Sequence, residues 1–222
     1  MLLVLWDIDG TLVDSAGQGC RAFEDAYEAV VGRPFAGEVA LAGRTDHQIA
    51  LAMLGEEHER LPRMLEELAR KLRGREETIR SEGRPYPGAR DALVALAGRD
   101  EVVQSVLTGN LEANAALKLS AFGLDAYVDF EVGGYGSDPH RERADLVDVA
   151  RRRTHDKYGE AETTVLVGDT PLDARAAHEA GARAVAVATG PYGVEALRAA
   201  GADAVLEDLR DTAALVSAVT RG

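Results

Sequence analysis

The pattern of apolar and polar residues predicts buried strands that alternate with amphipathic helices along most of the chain. The apolar run at residues 1–6 is typical of a strand buried on both faces. From residue 85 onward, helical patterns separate further predicted strands, which lie at 102–108, 127–132, 163–168, 182–188 and 204–206. This alternation predicts an α/β fold in which helices cover both faces of a parallel, doubly wound sheet.

Residues 15–84 follow a different pattern, with apolar residues at helical spacing and no strand signal. A first helix is predicted between a cap at Asp14 or Ser15 and an end at Gly32. Further helices are predicted from Thr45 or Asp46 and over about 57–82. We therefore predict one core formed by 1–14 and 85–222, with 15–84 inserted as an all-helical lid, here called the cap.

Composition narrows the possible partners and location. The 222 residues carry a formal net charge of −13, which disfavours binding to a nucleic-acid backbone. The single cysteine, Cys20, cannot form an internal disulfide and suits a reducing compartment. The chain start lacks a signal-peptide pattern, and no apolar run approaches the length of a membrane span. We expect a cytoplasmic protein without a membrane partner, either a monomer or a homodimer.

Two aspartates follow the first predicted strand. Strand alternation predicts that Asp7 and Asp9 point to the same side, at the edge where open α/β sheets bind ligands. The two carboxylates repel each other, so a cation between them is expected. The alternative is a strand that ends in an ordinary Asp-Gly turn, which accounts for Asp9 and Gly10 but not for Asp7.

Two later strands also end in polar residues. After the strand at 102–108, the Thr108 hydroxyl, the Gly109 amide and a helix predicted from Asn110 form a possible anion site. After the strand at 163–168 come Asp169 and Asp173, two acids four residues apart. Taken alone, the first is a commonplace turn, and Asp169 could simply cap the following helix.

The stretch Asp7-Ile8-Asp9-Gly10-Thr11-Leu12 resembles the opening motif of the haloacid dehalogenase-like hydrolase superfamily. Gly168-Asp169 followed by Asp173 resembles its fourth motif, and nearly the whole layout is similar to phosphoglycolate phosphatase-like members. The resemblance implies a Rossmann-like core with a helical cap. It also implies that Asp7 is the nucleophile, Asp9 the general acid/base and Thr108 the phosphate-holding hydroxyl. A Mg²⁺ site is implied with ligands drawn from Asp7, Asp9, Asp169 and Asp173. Substrate contacts are expected from Gly10, Thr108, Gly109, Asn110 and, in the cap turn, Arg44.

The third motif of that superfamily, a lysine before Pro-x-Pro, is missing between Gly136 and Leu146. Because no lysine follows Asp138 until Lys157, we expect an arginine to balance the acidic site. Helix register favours Arg143, and Arg141 is the alternative two residues away. An arginine keeps the charge but spreads it over a planar fork.

The resemblance implies Mg²⁺-dependent hydrolysis of a small phosphorylated metabolite through an aspartyl phosphate. Asp9 disfavours a dehalogenase, and Lys71 is the one cap lysine available to a phosphonatase. A sugar phosphomutase is the alternative within the superfamily, although its cap turn usually carries more basic residues than Arg44 alone. A non-catalytic protein that binds phosphorylated metabolites is the alternative from another class, and it is disfavoured because Asp7, Asp9 and Asp169 are all present.

Overall fold

A computed structural model describes residues 1–138 and 142–221 and contains a six-stranded sheet ordered β5-β4-β1-β6-β7-β8. Every neighbouring pair in this sheet is parallel. The strands are β1 (Leu2–Trp6), β4 (Val102–Thr108), β5 (Gly134–Tyr135), β6 (Thr163–Gly168), β7 (Arg183–Val187) and β8 (Ala204–Leu206); a separate ribbon pairs β2 (Val13–Asp14) with β3 (Arg84–Pro85). The predicted α/β fold with a parallel sheet is confirmed.

Ten α-helices lie in the described residues. They are α1 (Gln18–Val31), α2 (Asp46–Leu54), α3 (Leu61–Arg73), α4 (Glu76–Glu82), α5 (Ala89–Ala97), α6 (Glu112–Ser120), α7 (Arg143–Tyr158), α8 (Pro171–Glu179), α9 (Val194–Ala199) and α10 (Thr212–Thr220). None of the helices found in these ranges is long and apolar enough to cross a membrane.

Strand β1 is central because its side chains are apolar on both faces. Val4 and Trp6 pack in one apolar cluster with residues of α5 and α10, whereas Leu3 and Leu5 pack in another with residues of α7 and α8. All four side chains are fully buried, which contributes about 1.5–3 kcal/mol for each aliphatic one. Helices therefore cover both faces of the sheet.

The sheet brings the polar strand ends together. In space β1 lies between β4 and β6, so Trp6 pairs with Val106 on one side and Val167 on the other. Because the three strands are parallel, the residues that follow them meet at one edge. The chain order changes direction at β1, and ligands bind at such points in open α/β sheets.

The cap has an apolar cluster of its own, to which the core adds Leu111. Its buried members include Ala22, Phe23, Tyr27, Ile49, Met53, Met64, Leu68, Leu72 and Ile79. At its base, β2 and β3 pair antiparallel, and Arg84 forms an ion pair with Asp14 at 2.9 Å. This ribbon, which the sequence pattern did not predict, brings the two ends of the cap together.

Some boundaries differ from the predictions. Helix α1 begins after Gly17, which has a φ of 73°, and Asp14 instead accepts a bond from the Ala16 amide at 2.9 Å. The helix predicted at 57–82 is divided into a 3₁₀ turn at Gly55–Arg60 and the helices α3 and α4. Helix α9 was not predicted.

The strand predicted at 127–132 is wrong. The segment forms two 3₁₀ turns, Asp125–Tyr127 and Phe130–Val132. Side chains of β4 explain this difference, because Gln104 donates to the Tyr127 carbonyl at 3.3 Å and Ser105 to the Asp129 carbonyl at 2.6 Å. These bonds satisfy carbonyl groups that a strand would have used for pairing. On the side of β4 away from β1, the paired strand is instead the shorter β5.

Candidate active site

A cavity of about 480 Å³ lies between the core and the cap, at the carboxyl edge of the sheet. Asp7, Asp9, Thr108 and Asp169 line it from the core. The cap contributes Cys20, Phe23, Leu41, Ala42, Arg44 and Ile49. The cavity therefore joins an acidic floor to a more apolar roof, and Tyr86 of the hinge segment also lines it.

Three buried carboxylates form a group on one side of the cavity. Asp7, Asp169 and Asp173 each provide an oxygen, and these oxygens all lie within 4.8 Å of one another. Asp7 follows β1, with its amide bonded to the Val167 carbonyl at 2.8 Å, Asp169 follows β6, and Asp173 lies in the first turn of α8. Hard oxygen donors at this spacing fit a divalent cation such as Mg²⁺.

The electrostatics of the group also fit a cation. Burial, helped by the repulsion of Asp173, raises the pKa of Asp7 to about 7 against the opposing effect of Arg143. Burial and the neighbouring carboxylates raise the pKa of Asp169 to about 8. A divalent cation would relieve both effects, because it replaces repulsion between anions with attraction to a common centre.

Arg143 links two members of the group. Its Nη2 lies 2.8 Å from Asp7 Oδ1 and 2.6 Å from Asp173 Oδ1, and it donates to the Leu107 carbonyl at 3.3 Å. Asp173 therefore orients Arg143, and its other oxygen accepts bonds from Thr170 that cap α8. The alternative, Arg141, lies outside the described residues. When all are ionised, three carboxylates and one guanidinium leave two negative charges uncompensated.

Asp169 is enclosed by glycine backbone. Gly10 has a φ of +87°, and a Cβ there would lie 2.3 Å from Asp169 Oδ2. A Cβ at Gly190 would lie 1.7 Å from the same oxygen. Thr11 donates to Asp169 Oδ1 at 3.1 Å. Gly10, predicted to contact substrate, therefore provides the turn and the space for Asp169.

Asp9 lies in a separate environment. Lys118 Nζ contacts its two oxygens at 2.8 and 2.6 Å, and Asn110 Nδ2 donates to Oδ2 at 2.8 Å. The structure thus places the Asp9 carboxylate with Lys118, not in the three-carboxylate group, which differs from the predicted metal set. Strand alternation does not extend to Asp9, because β1 ends at Trp6 and the chain turns after Ile8.

Thr108 is oriented by Asn110. The Thr108 hydroxyl oxygen accepts bonds from the Asn110 backbone amide at 3.2 Å and from its Nδ2 at 2.7 Å. With both lone pairs engaged, the hydroxyl proton is left for donation. The Asn110 side chain joins Thr108 to Asp9 and lines the cavity, so its predicted contact with substrate stays a prediction.

At the start of α6, the helix amides of the predicted anion site are bonded to other groups, whereas Thr108 and Gly109 line the cavity. Asp46 of the cap accepts bonds from the Leu111 amide at 2.9 Å and from Asn114 Nδ2 at 3.3 Å. The next amide, of Glu112, donates to Ser137 Oγ at 3.3 Å. These amides are therefore not open to a phosphate.

Gly109 is one of the contacts between the core and the cap. The Asp46 amide donates to its carbonyl at 2.7 Å, and a Cβ at Gly109 would lie 2.2 Å from the Arg44 carbonyl oxygen. Only glycine admits the cap turn at this distance. Both Gly109 and Arg44 line the cavity, and their contact with a substrate stays a prediction.

Three residues of the site, Lys118, Asp46 and Gly190, were not predicted from the sequence. A polar stripe could have indicated Lys118, because Asn110, Asn114 and Lys118 are four residues apart and all three side chains are buried. Asp46 was interpreted only as a helix start, and Gly190 had no recognisable pattern.

Comparisons with known proteins support the motifs. Residues 4–187 match the model of the haloacid dehalogenase-like hydrolase family. The curated "Probable phosphatase IndB" of Dickeya dadantii is 27% identical over 234 residues, which cover 99% of this chain and 95% of that protein. A solved hydrolase from Pseudomonas syringae has a TM-score of 0.72 at 22% identity, covering 100% of both chains. A predicted phosphoglycolate phosphatase from Haemophilus somnus has a TM-score of 0.68 at 20% identity, covering 96% of this chain and 97% of that one. These two likenesses show a shared fold.

Proposed function

Since this chain belongs to the haloacid dehalogenase-like hydrolase family, we propose that it is a Mg²⁺-dependent phosphatase of small phosphorylated metabolites. The observation that carries the proposal is the buried group of Asp7, Asp169 and Asp173 held by Arg143 at the carboxyl edge of the sheet. The name of the curated relative, a phosphatase, supports the same reaction class. Bound to the three carboxylates, Mg²⁺ would neutralise negative charge and bring a phosphate close to Asp7.

In the first step, an Asp7 oxygen attacks phosphorus while the bond from phosphorus to the leaving oxygen breaks. Thr108 donates a hydrogen bond from its hydroxyl group to a phosphoryl oxygen, and the Gly109 amide adds a second hydrogen bond. Asp9, in its acid form, gives its proton to the leaving oxygen. The products are the alcohol and phosphorylated Asp7.

In the second step, water attacks the phosphorus and Asp9 takes its proton. The bond between Asp7 and phosphorus breaks, which releases inorganic phosphate and restores both carboxyl groups. Arg143 stabilises the Asp7 carboxylate that leaves, because its Nη2 lies 2.8 Å from Asp7 Oδ1. This route replaces one difficult displacement with two easier ones.

The division into a core and a cap is part of the proposal. The cap contributes the apolar side chains Phe23, Leu41 and Ile49 and the cation Arg44 to the cavity. We infer that the leaving group of the substrate contacts these residues, so the cap selects the substrate and excludes water from the reacting phosphate.

The experiment is an assay of phosphate release from a panel of phosphorylated metabolites and p-nitrophenyl phosphate, with Mg²⁺, for the wild type and Asp7→Asn. Asp7→Asn is expected to abolish turnover and to leave the circular dichroism spectrum unchanged, because it removes the nucleophile at constant size. The matched control is Asp100→Asn, an exposed residue before β4 at the opposite edge of the sheet, which should retain full activity. An active Asp7→Asn variant would show that the nucleophile is assigned wrongly.

A further inference from the structure

We propose that Lys118 is a positioning residue for Asp9, which it orients and stabilises as Asp9 gives its proton to the leaving oxygen. This role rests on the proposed phosphatase mechanism. Nothing in the sequence motifs marks Lys118, which lies on α6 and reaches the site from the core. Its side chain is only 5% exposed, whereas that of Asp9 is 43% exposed.

The geometry favours positioning over direct contact with substrate. An ammonium group has three protons, and Lys118 Nζ has three acceptors within hydrogen-bond distance. These are Asp9 Oδ1 at 2.8 Å, Asp9 Oδ2 at 2.6 Å and Asn110 Oδ1 at 2.7 Å. All of its donors are therefore engaged, and Lys118 acts on the reaction through Asp9.

Asn110 makes the arrangement rigid. It accepts from Lys118 through Oδ1 and donates through Nδ2 to Asp9 and Thr108. One hydrogen-bond network therefore orients both the acid/base and the hydroxyl that holds the phosphate. Cap residue Gly19 lies above it, and a Cβ there would be 3.7 Å from Lys118 Nζ.

The chemistry explains why a cation is useful at this position. As the bond from phosphorus to the leaving oxygen breaks, Asp9 loses its proton and gains negative charge. Lys118 is already aligned with both Asp9 oxygens, so this charge is stabilised without reorganisation. The benefit grows with the basicity of the leaving oxygen, since a good leaving group departs with little help from a proton.

Two substrates of similar shape test this inference. The experiment measures kcat/KM for phenyl phosphate, which has the more basic leaving oxygen, and for p-nitrophenyl phosphate. Lys118→Met is expected to lower kcat/KM about 10²-fold for phenyl phosphate and less than about 10-fold for p-nitrophenyl phosphate. Lys118→Gln, which keeps a donor without the charge, should show the same selectivity with a smaller loss.

A double-mutant cycle tests the coupling to Asp9. In the Asp9→Asn background, Lys118→Met should cause little further loss, because its effect passes through the Asp9 carboxyl group. The matched control is Lys157→Met, which removes another ammonium that contacts two carboxylates, Asp129 and Glu131, at 2.6 Å each. This variant should leave both kcat/KM values unchanged.

The outcomes separate the inference from the function on which it rests. Asp9→Asn could lower kcat/KM more for phenyl phosphate than for p-nitrophenyl phosphate while Lys118→Met and Lys118→Gln lower both values equally. That result would overturn the role of Lys118 and leave that of Asp9 in place. Additive losses in the double variant would likewise overturn the inference. If Asp9→Asn itself lowers kcat/KM equally for both substrates, the acid/base assignment is wrong and the inference about Lys118 is wrong with it.

Discussion

Arg143 and Lys118 occupy comparable positions on two sides of one cavity, and the difference between their partners separates two kinds of chemistry. Both cations are buried, with 8% and 5% of the side chain exposed, and each holds an aspartate from the segment that follows β1. Arg143 contacts Asp7 and Asp173, beside Asp169, so negative charge is in excess there. Lys118 contacts one carboxylate and a neutral amide.

In the proposed mechanism, two aspartates two residues apart have different roles, and their surroundings differ accordingly. Asp7 is 6% exposed and lies among like charges, which suits a nucleophile that shares a cation. Asp9 has a side chain that is 43% exposed and has a cation of its own, which suits a group that exchanges protons with substrate and water. We call Arg143 with its carboxylates the Arg143 side, and Lys118 with Asp9 the Lys118 side. We therefore expect substitutions on the Arg143 side to change the dependence of activity on metal, and substitutions on the Lys118 side to change its dependence on the leaving group.

The largest expected effect tests the Arg143 side as a whole. A chelator should reduce phosphate release to the background rate, and Mg²⁺ should restore it, since the carboxylate group then regains its cation. Ca²⁺ should support activity poorly, because it takes more ligands at longer distances. Phosphate release with each metal at equal concentration is the measurement, and equal rates with Ca²⁺ and Mg²⁺ would contradict the site geometry.

Replacement of Arg143 should cost less than removal of the metal, but still orders of magnitude. Arg143→Ala is expected to lower kcat about 10²–10³-fold, because Asp7 loses the group that stabilises it as a leaving carboxylate. Arg143→Lys should keep part of the activity, since a single nitrogen, Nη2, makes the contacts to Asp7 and Asp173. kcat and KM on one substrate are the measurements.

Two companions sharpen the Arg143 test. Arg152→Ala, an exposed residue on the same helix, is the control and should be fully active. Arg141→Ala is expected to cost little if the predicted register holds. An inactive Arg141→Ala variant together with an active Arg143→Ala variant would mean that the predicted register is wrong by two residues.

A smaller effect compares the two sides through thermal stability. At about 100 times its Kd, Mg²⁺ should raise Tm by ~5–10 °C in the wild type. Asp9→Asn should keep this shift, and Asp169→Asn should lose most of it. Of these two residues, Asp169 belongs to the three-carboxylate group and Asp9 does not. Equal losses in both variants would mean that the two sides are not separate.

The same shift should depend on pH. The pKa values of Asp7 and Asp169, raised to about 7 and about 8, mean that the folded protein holds protons that the unfolded chain has lost. Without metal, the free energy of unfolding should therefore fall as pH rises from about 4 to about 8. Since protons compete with Mg²⁺ for these carboxylates, the Tm shift at one fixed Mg²⁺ concentration should be larger at about pH 8 than at about pH 6. Thermal scans at both values test this.

The smallest expected effect concerns Asp46, which joins the cap to α6 beside Lys118. Burial raises its pKa to about 6, so its folded form favours the proton. As pH rises from about 4 to about 6, wild type should lose about 1–3 kcal/mol of stability relative to Asp46→Asn, which has no such proton. Urea unfolding of both proteins across this range is the measurement, and a constant difference would contradict the prediction.

The sequence by itself determined the α/β fold, the family and most helix positions. The periodicity and length of the apolar runs were sufficient for this. The strands β1 and β6 are apolar on both faces, and α2 begins after its capping residue Thr45. The resemblance also implied that Asp7, Thr108 and Asp169 belong to one site, and the parallel strands place their carboxyl ends at one edge. Local signals failed at 127–132, where side chains of β4 took the carbonyl groups.

Only the tertiary structure decided how the charges pair. From the sequence, Asp7 and Asp9 shared one cation, and an arginine was the one candidate to balance the site. In the structure, Lys118 from a helix far along the chain forms an ion pair with Asp9, while Arg143 forms one with Asp7. Spacing along a chain reports which residues share a strand or a helix face. Which charges pair depends on distances between elements, and packing sets these only when the whole sheet, its helices and the cap are assembled.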